Sequence, residues 1–139
     1  MKTSKAGINL IKSFEGCLLK ESHKLDGVPT IGYGHTGKDV KIGMIITQKE
    51  AESLLKKDLA KFERYVNILP YKFKQCEFDA LVSFTYNCGY GNLRNLTKAG
   101  TRSKEVIATK LLAYNKCNGK VLAGLTRRRK AEQKMFLGK

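Results

Sequence analysis

The stretch Thr30-Ile31-Gly32-Tyr33-Gly34-His35-Thr36-Gly37 decides how the chain is read. Glycines alternate with bulky residues across a short apolar run. That pattern suits a strand that another backbone, or a ligand, approaches closely, followed by a tight turn. Upstream, Gly27 and Pro29 punctuate the same region, so Cys17 to Gly37 reads as short strands and turns. Within it, His35 and Tyr33 could line a ligand site or serve as hydrogen-bonded or core groups.

Further upstream, Ile8, Ile11 and Phe14 recur at helical spacing, and Gly16 is placed to end a helix running from Ser4 to Phe14 or Glu15. Glu15 falls four residues after Ile11 and seven after Ile8, which puts its carboxylate on the apolar face. A carboxyl held there keeps its proton more readily, as a general acid requires. The competing reading is a glutamate turned to solvent at a frayed helix end.

Downstream, the pattern becomes helical. Thr47-Gln48-Lys49-Glu50 is a capping box that opens a long helix through Leu54, Leu55, Leu59 and Phe62 towards Val66, with Pro70 beyond its end. A further helix is expected over about Phe73 to Asn87, broken by Gly89-Tyr90-Gly91-Asn92. Ser103 reads as the N-cap of another, reaching about Tyr114. Asn118-Gly119 is a turn signal, and a last helix is expected over Thr126 to Phe136. The expected class is α+β: a small β-containing N-terminal lobe, a larger helical lobe, and a cleft between them. The 139 residues are one domain's worth, 1–139.

Bulk composition narrows the function classes. Hydrophobic residues make up 42% and charged residues 28%, as in soluble globular chains. No apolar run approaches a membrane span, and Met1–Lys12 lacks the apolar region of a signal peptide. The expectation is synthesis in the cytoplasm without membrane insertion. Cys17, Cys76, Cys88 and Cys117 contain no C-x-x-C pair, which argues against a metal knuckle; their even number allows two disulfides, while the expected cytoplasmic origin favours reduced thiols buried as small apolar groups. No cofactor or metal is expected. The 27 basic against 12 acidic residues give a net charge of +15, which favours a polyanionic partner. Nucleic acid and an anionic cell surface both satisfy that criterion. The bases are spread along the chain without a nucleic-acid motif, so nucleic acid is not expected to be the primary partner.

Three ordered segments carry a resemblance. Phe14-Glu15-Gly16 with Thr30-Ile-Gly-Tyr-Gly-His-Thr-Gly, Phe78-Asp79-Ala80-Leu81-Val82-Ser83-Phe84 with Asn87 and Gly89, and Gly124-Leu125-Thr126-Arg127-Arg128-Arg129 with Glu132 together resemble the phage-type lysozymes of glycoside hydrolase family 24. The resemblance implies a lysozyme-like fold and a monomeric endolysin. It would hydrolyse the β-1,4 bond between N-acetylmuramic acid and N-acetylglucosamine in peptidoglycan, reaching the wall after membrane permeabilisation. It implies Glu15 as the acid and Thr30 as its partner; Tyr33, His35 and Asn87 are the candidate substrate-binding residues. Arg128, or Arg127, would pair with Glu15.

The chain departs from the family at one place. The family's second site residue, an aspartate or cysteine, falls on Lys24, which cannot act as a carboxylate. Asp26, two residues on and beside the deformable Gly27, could supply it. Otherwise Glu15 and Thr30 work alone, or the domain binds wall or nucleic acid with little catalysis. His23 is a further candidate base.

Overall fold

The structure is a computed structural model and describes residues 1–23 and 27–139. The elements in order are α1 (Lys5–Glu15), β1 (Leu18–His23), β2 (Pro29–Gly32), α2 (Gln48–Asn67), α3 (Gln75–Thr97), α4 (Lys104–Lys110), a 3-10 turn (Leu111–Ala113), β3 (Lys116–Cys117), β4 (Lys120–Val121) and α5 (Ala123–Phe136). The class is the expected α+β. The chain forms two compact units, Asn9–Ala60 and Met1–Ile8 with Lys61–Lys139, called here the β unit and the helical unit.

In the β unit, β1 and β2 pair antiparallel with Ser22 opposite Thr30, and a register shift lies between Leu18 and Ser22. The other edge of β1 is also covered. Glu21 N–H donates to the Met44 carbonyl at 2.8 Å, and Ile46 N–H donates to the Leu19 carbonyl at 2.8 Å. Pairing on both edges removes the exposed ladder that a two-stranded hairpin would leave. Ile11, Ile31, Leu55 and Leu59 are fully or almost fully buried and form the core. Each such aliphatic side chain contributes about 1.5–3 kcal/mol on burial. Of the α1 stripe, Ile11 alone is fully buried, while Ile8 and Phe14 are half-buried.

α2 starts where the capping box puts it. Glu50 N–H donates to Thr47 Oγ1 at 3.1 Å, and Thr47 N–H donates to Glu50 Oε1 at 3.0 Å.

In the helical unit, α3 and α5 pack against each other around Phe78, Leu81, Phe84 and Phe136. Asp79 on α3 fastens the start of α1 by accepting from Ser4 N–H at 3.0 Å and from the Ser4 hydroxyl. The expected break after Asn87 is narrower than its sequence suggests. Only Gly89, at φ 86° and ψ 168°, leaves the helical region, and α3 resumes to Thr97. Gly89 kinks the helix through a positive-φ conformation that suits glycine, and the helix resumes beyond it with buried apolar positions at Leu93 and Leu96. α3 then stops on left-handed Lys98, Ala99 and Gly100.

Ser103 caps α4 by accepting from Val106 N–H. α4 is shorter than expected, since the chain tightens into the 3-10 turn before Tyr114. Asn118 and Gly119, at φ 52° and 79°, form the turn of the β3–β4 hairpin, and α5 begins at Ala123, three residues before the expected start.

All four cysteines are free thiols; Cys17 and Cys117 are exposed and Cys76 and Cys88 half-buried, so none is the buried apolar group the sequence suggested.

Candidate active site

Glu15 is the last residue of α1 and is half-buried, with left-handed Gly16 at φ 68° turning the chain into β1. Thr30 belongs to the same unit on β2 and is almost wholly covered. Its hydroxyl donates to the Val28 carbonyl at 3.1 Å. That bond uses the hydroxyl proton and leaves the oxygen able to accept.

The end of α1 is tied to α2 and β2 by polar bonds on either side of Glu15. Lys12 pairs with Glu52, and its ammonium also stands 5.5 Å from the Tyr33 ring centre. The hydrogen bond to Glu52, opposed in part by desolvation, holds the Lys12 ammonium above its ordinary range. Cys17 Sγ donates to Gln48 Oε1 at 3.6 Å, and Gln48 Nε2 donates to the Tyr33 hydroxyl at 2.7 Å. Gln48, which the sequence offered only as part of a capping box, therefore links Cys17 to Tyr33. Tyr33 is 8% exposed.

His35 is held from both sides, by Asp58 at Nδ1 and Asp39 at Nε2. Behind it lies a mainly apolar cavity of about 400 Å³ walled by Ile31, Val40, Met44, Ile46 and Leu54, with neither Glu15 nor Thr30 in its lining. His23 is committed to Glu21, a nearly buried carboxylate that also accepts from Gly43 N–H at 2.9 Å. The Gly43 N–H first, and His23 after it, hold the Glu21 carboxyl below the usual range. Lys24 and Asp26 lie outside the described residues.

The helical unit supplies a second group of candidates. Glu132 is completely buried on α5 and lies between Arg129 Nε at 2.7 Å, an ion pair without hydrogen-bond alignment, and Arg128 Nε at 3.3 Å. The Ser83 hydroxyl donates to Glu132 Oε2 at 2.6 Å, and Arg128 Nη2 donates to the Ser83 carbonyl at 3.2 Å. Burial pushes the Glu132 carboxyl up, and the two guanidiniums with Ser83 act against that. Arg129 Nη2 donates to Asn87 Oδ1 at 2.8 Å, which orients Asn87 at the surface. Asn87, Asn92, Tyr114, Lys116 and Arg129, together with Ala113 and Leu125, line a hollow of mixed polarity of about 500 Å³.

Of the three consecutive arginines, Arg127 is exposed and the other two are buried. Sequence reasoning anticipated one structural pairing here and missed that Arg128 and Arg129 both bind Glu132. The signal was present as an acid three and four residues after two arginines on one helix.

The fold is thus a mixed α+β one. Its β unit presents a glutamate at a helix end and a threonine on the adjoining hairpin, and its helical unit is fixed by a buried Arg–Glu–Arg group. Residues 12–132 match the family model described as phage lysozyme, and the chain belongs to that family. It is 43% identical over 145 residues to the endolysin of Bacillus phage B103, covering 99% of this chain and 54% of that protein. It is 34% identical to the endolysin of Salmonella phage P22, covering 99% of each. The structure superposes on the endolysin from Escherichia coli O157:H7 phage FAHEc1 with a TM-score of 0.89 at 37% identity, covering 99% of this chain and 94% of that one. The chain spans little more than half the length of the Bacillus phage relatives it matches.

Proposed function

We propose that the chain is a muramidase that cuts the β-1,4 bond between N-acetylmuramic acid and N-acetylglucosamine in peptidoglycan, as an endolysin does in cell lysis. The observation that carries this reading is membership of the phage lysozyme family over residues 12–132, with Glu15 and Thr30 at the family's spacing. Glu15 donates its proton to the glycosidic oxygen as the bond to the anomeric carbon breaks. Positive charge builds on the sugar ring, and a water attacks the anomeric carbon.

Thr30 suits the role of positioning that water, because its own proton is spent on the Val28 carbonyl and its oxygen can accept from the water. Asp26 supplies the second carboxylate that takes the water's proton, in place of Lys24. Tyr33 and His35 contribute to the site through the Gln48 and Asp58 contacts that hold them. Asn87 is a candidate sugar-binding residue, and Arg128 is the candidate partner for the acid that the family resemblance implies. Residues 1–139 act as one catalytic domain, as a monomer and without metal or cofactor.

The test is the clearing of a purified peptidoglycan suspension. Wild type clears it, and Glu15→Gln loses about 10²-fold or more of the rate, since the amide has no proton to give. Equal clearing by both proteins would remove Glu15 as the acid. No clearing by wild type at any pH would replace the muramidase by a binding module.

A further inference from the structure

The two units do not share the net charge. The helical unit holds 19 basic and 5 acidic residues, a net +14, and the β unit holds 8 and 7, a net +1. The exposed charges of the helical unit are almost all of one sign, because most of its carboxylates are used internally. Glu63 accepts from the Thr3 N–H at 2.7 Å and its hydroxyl at 2.6 Å. Glu77 accepts from Lys74 N–H at 2.7 Å and pairs with Lys104. Asp79 is bound by Ser4 and Gln75, and Glu132 by Arg128, Arg129 and Ser83. Among the described residues of this unit, only Glu105 is an exposed carboxylate.

Apart from buried Arg128 and Arg129, most of the unit's cations stay at the surface. Arg94 on α3 and Lys98 just past its end, Lys110 on α4, Lys120 on the β3–β4 hairpin, and Lys130 and Lys134 on α5 are all exposed. In the β unit, by contrast, Lys12 is taken by Glu52, and the remaining charges nearly cancel.

We propose that the helical unit is a docking surface for the phosphodiester chains of the bacterial wall, the teichoic-acid polymers that carry one negative charge per repeat. The proposal rests on the muramidase reading in one respect: it takes the wall as the target. A surface of positive charge uncompensated by exposed carboxylates attracts a polyanion and releases its counterions on contact. Cations distributed over four elements suit a flexible chain that can follow them. A bilayer engages only the cations that share one plane and rewards inserted apolar side chains. Past the first turn of α5, the exposed helical positions are Arg127, Lys130 and Lys134, all basic. A sequence-reading duplex contact would place an element in a groove, which dispersed lysines do not require.

The experiment measures binding of the full chain to purified poly(glycerol phosphate) at low and moderate salt. It compares wild type with two triple variants that lower the net charge equally. Lys120→Glu with Lys130→Glu and Lys134→Glu alters the helical unit, and Lys38→Glu with Lys41→Glu and Lys56→Glu alters the β unit. All six positions are exposed, so both variants fold, which circular dichroism and Tm confirm.

The first variant is expected to bind about tenfold or more weakly and to show a shallower salt dependence, and the second to change by less than about threefold. Equal losses in both variants, or no saturable polymer binding by wild type, would overturn the docking surface. Tighter binding to phosphatidylglycerol vesicles or to duplex DNA than to the polymer would replace the proposed partner. Clearing of wall stripped of its phosphate polymers separates the two readings. Wild type that clears stripped wall but ignores the polymer sinks this inference alone. Wild type that binds the polymer but clears nothing sinks the muramidase alone.

Discussion

The imidazole Nδ1 of His35, in the turn after β2, lies 2.7 Å from Asp58 Oδ2 on α2. This bond joins the glycine-rich hairpin to the long helix. Burial works against a charged ring here, but the Asp58 and Asp39 hydrogen bonds outweigh it, and the His35 pKa is raised above 6.5. Because the folded value is the higher one, the stabilisation is fully present below about pH 6.5 and is lost as pH rises through the folded value. Asp58→Asn should therefore cost about 1.5–3 kcal/mol at about pH 5.5, and progressively less in alkaline solution. Thermal denaturation of both proteins across pH checks this, and a Tm difference independent of pH would contradict it.

Glu132 is the buried carboxylate that both Arg128 and Arg129 bind, so removing its charge withdraws that compensation from two buried guanidiniums. Glu132→Gln should lose about 3–5 kcal/mol of stability. Urea unfolding measures it. A loss below about 1 kcal/mol would mean that Arg128 and Arg129 find other acceptors.

Gly100 ends the turn after α3 at φ 82°, and a Cβ there would stand 2.6 Å from Pro70 Cδ. Both the backbone angle and the rigid proline ring oppose a side chain. Gly100→Ala should cost at least about 2 kcal/mol, read in the same urea experiment, while activity per folded molecule stays unchanged.

By the family resemblance Lys24 falls where a carboxylate or thiol is expected, and Asp26, two residues on, is the proposed substitute. Asp26→Asn is expected to lose most wall clearing, and Lys24→Asp to leave activity essentially unchanged in the wild-type background. When the two changes are combined, Lys24→Asp is expected not to rescue Asp26→Asn. Full activity in Asp26→Asn would take Asp26 out of the mechanism.

Much of this arrangement was legible from local chemistry. The capping box at Thr47, the cap at Ser103 and the turn at Asn118-Gly119 each depend on residues a few positions apart, and each forms as read. Features that depend on distant partners were not legible. Gly89 looks like a helix end, and only the buried Leu93 and Leu96 beyond it show that the helix resumes. Three arginines in a row look like a solvated face, but two of them are buried against partners far along the chain, Ser83 for Arg128 and Asn87 for Arg129. His35 offered a ligand or a structural role with equal force. Its two aspartates, 23 and 4 residues away, give it firm structural partners and make its pH dependence testable.

The central claim concerns one bond and one proton donor. Peptidoglycan digested by wild type, reduced with borohydride and analysed by mass spectrometry reports which sugar carries the new reducing end. The expected products end in reduced N-acetylmuramic acid, and Glu15→Gln yields them at about 1% of the wild-type rate or less. Reducing ends on N-acetylglucosamine, anhydro-sugar ends, or equal product from Glu15→Gln would contradict the account.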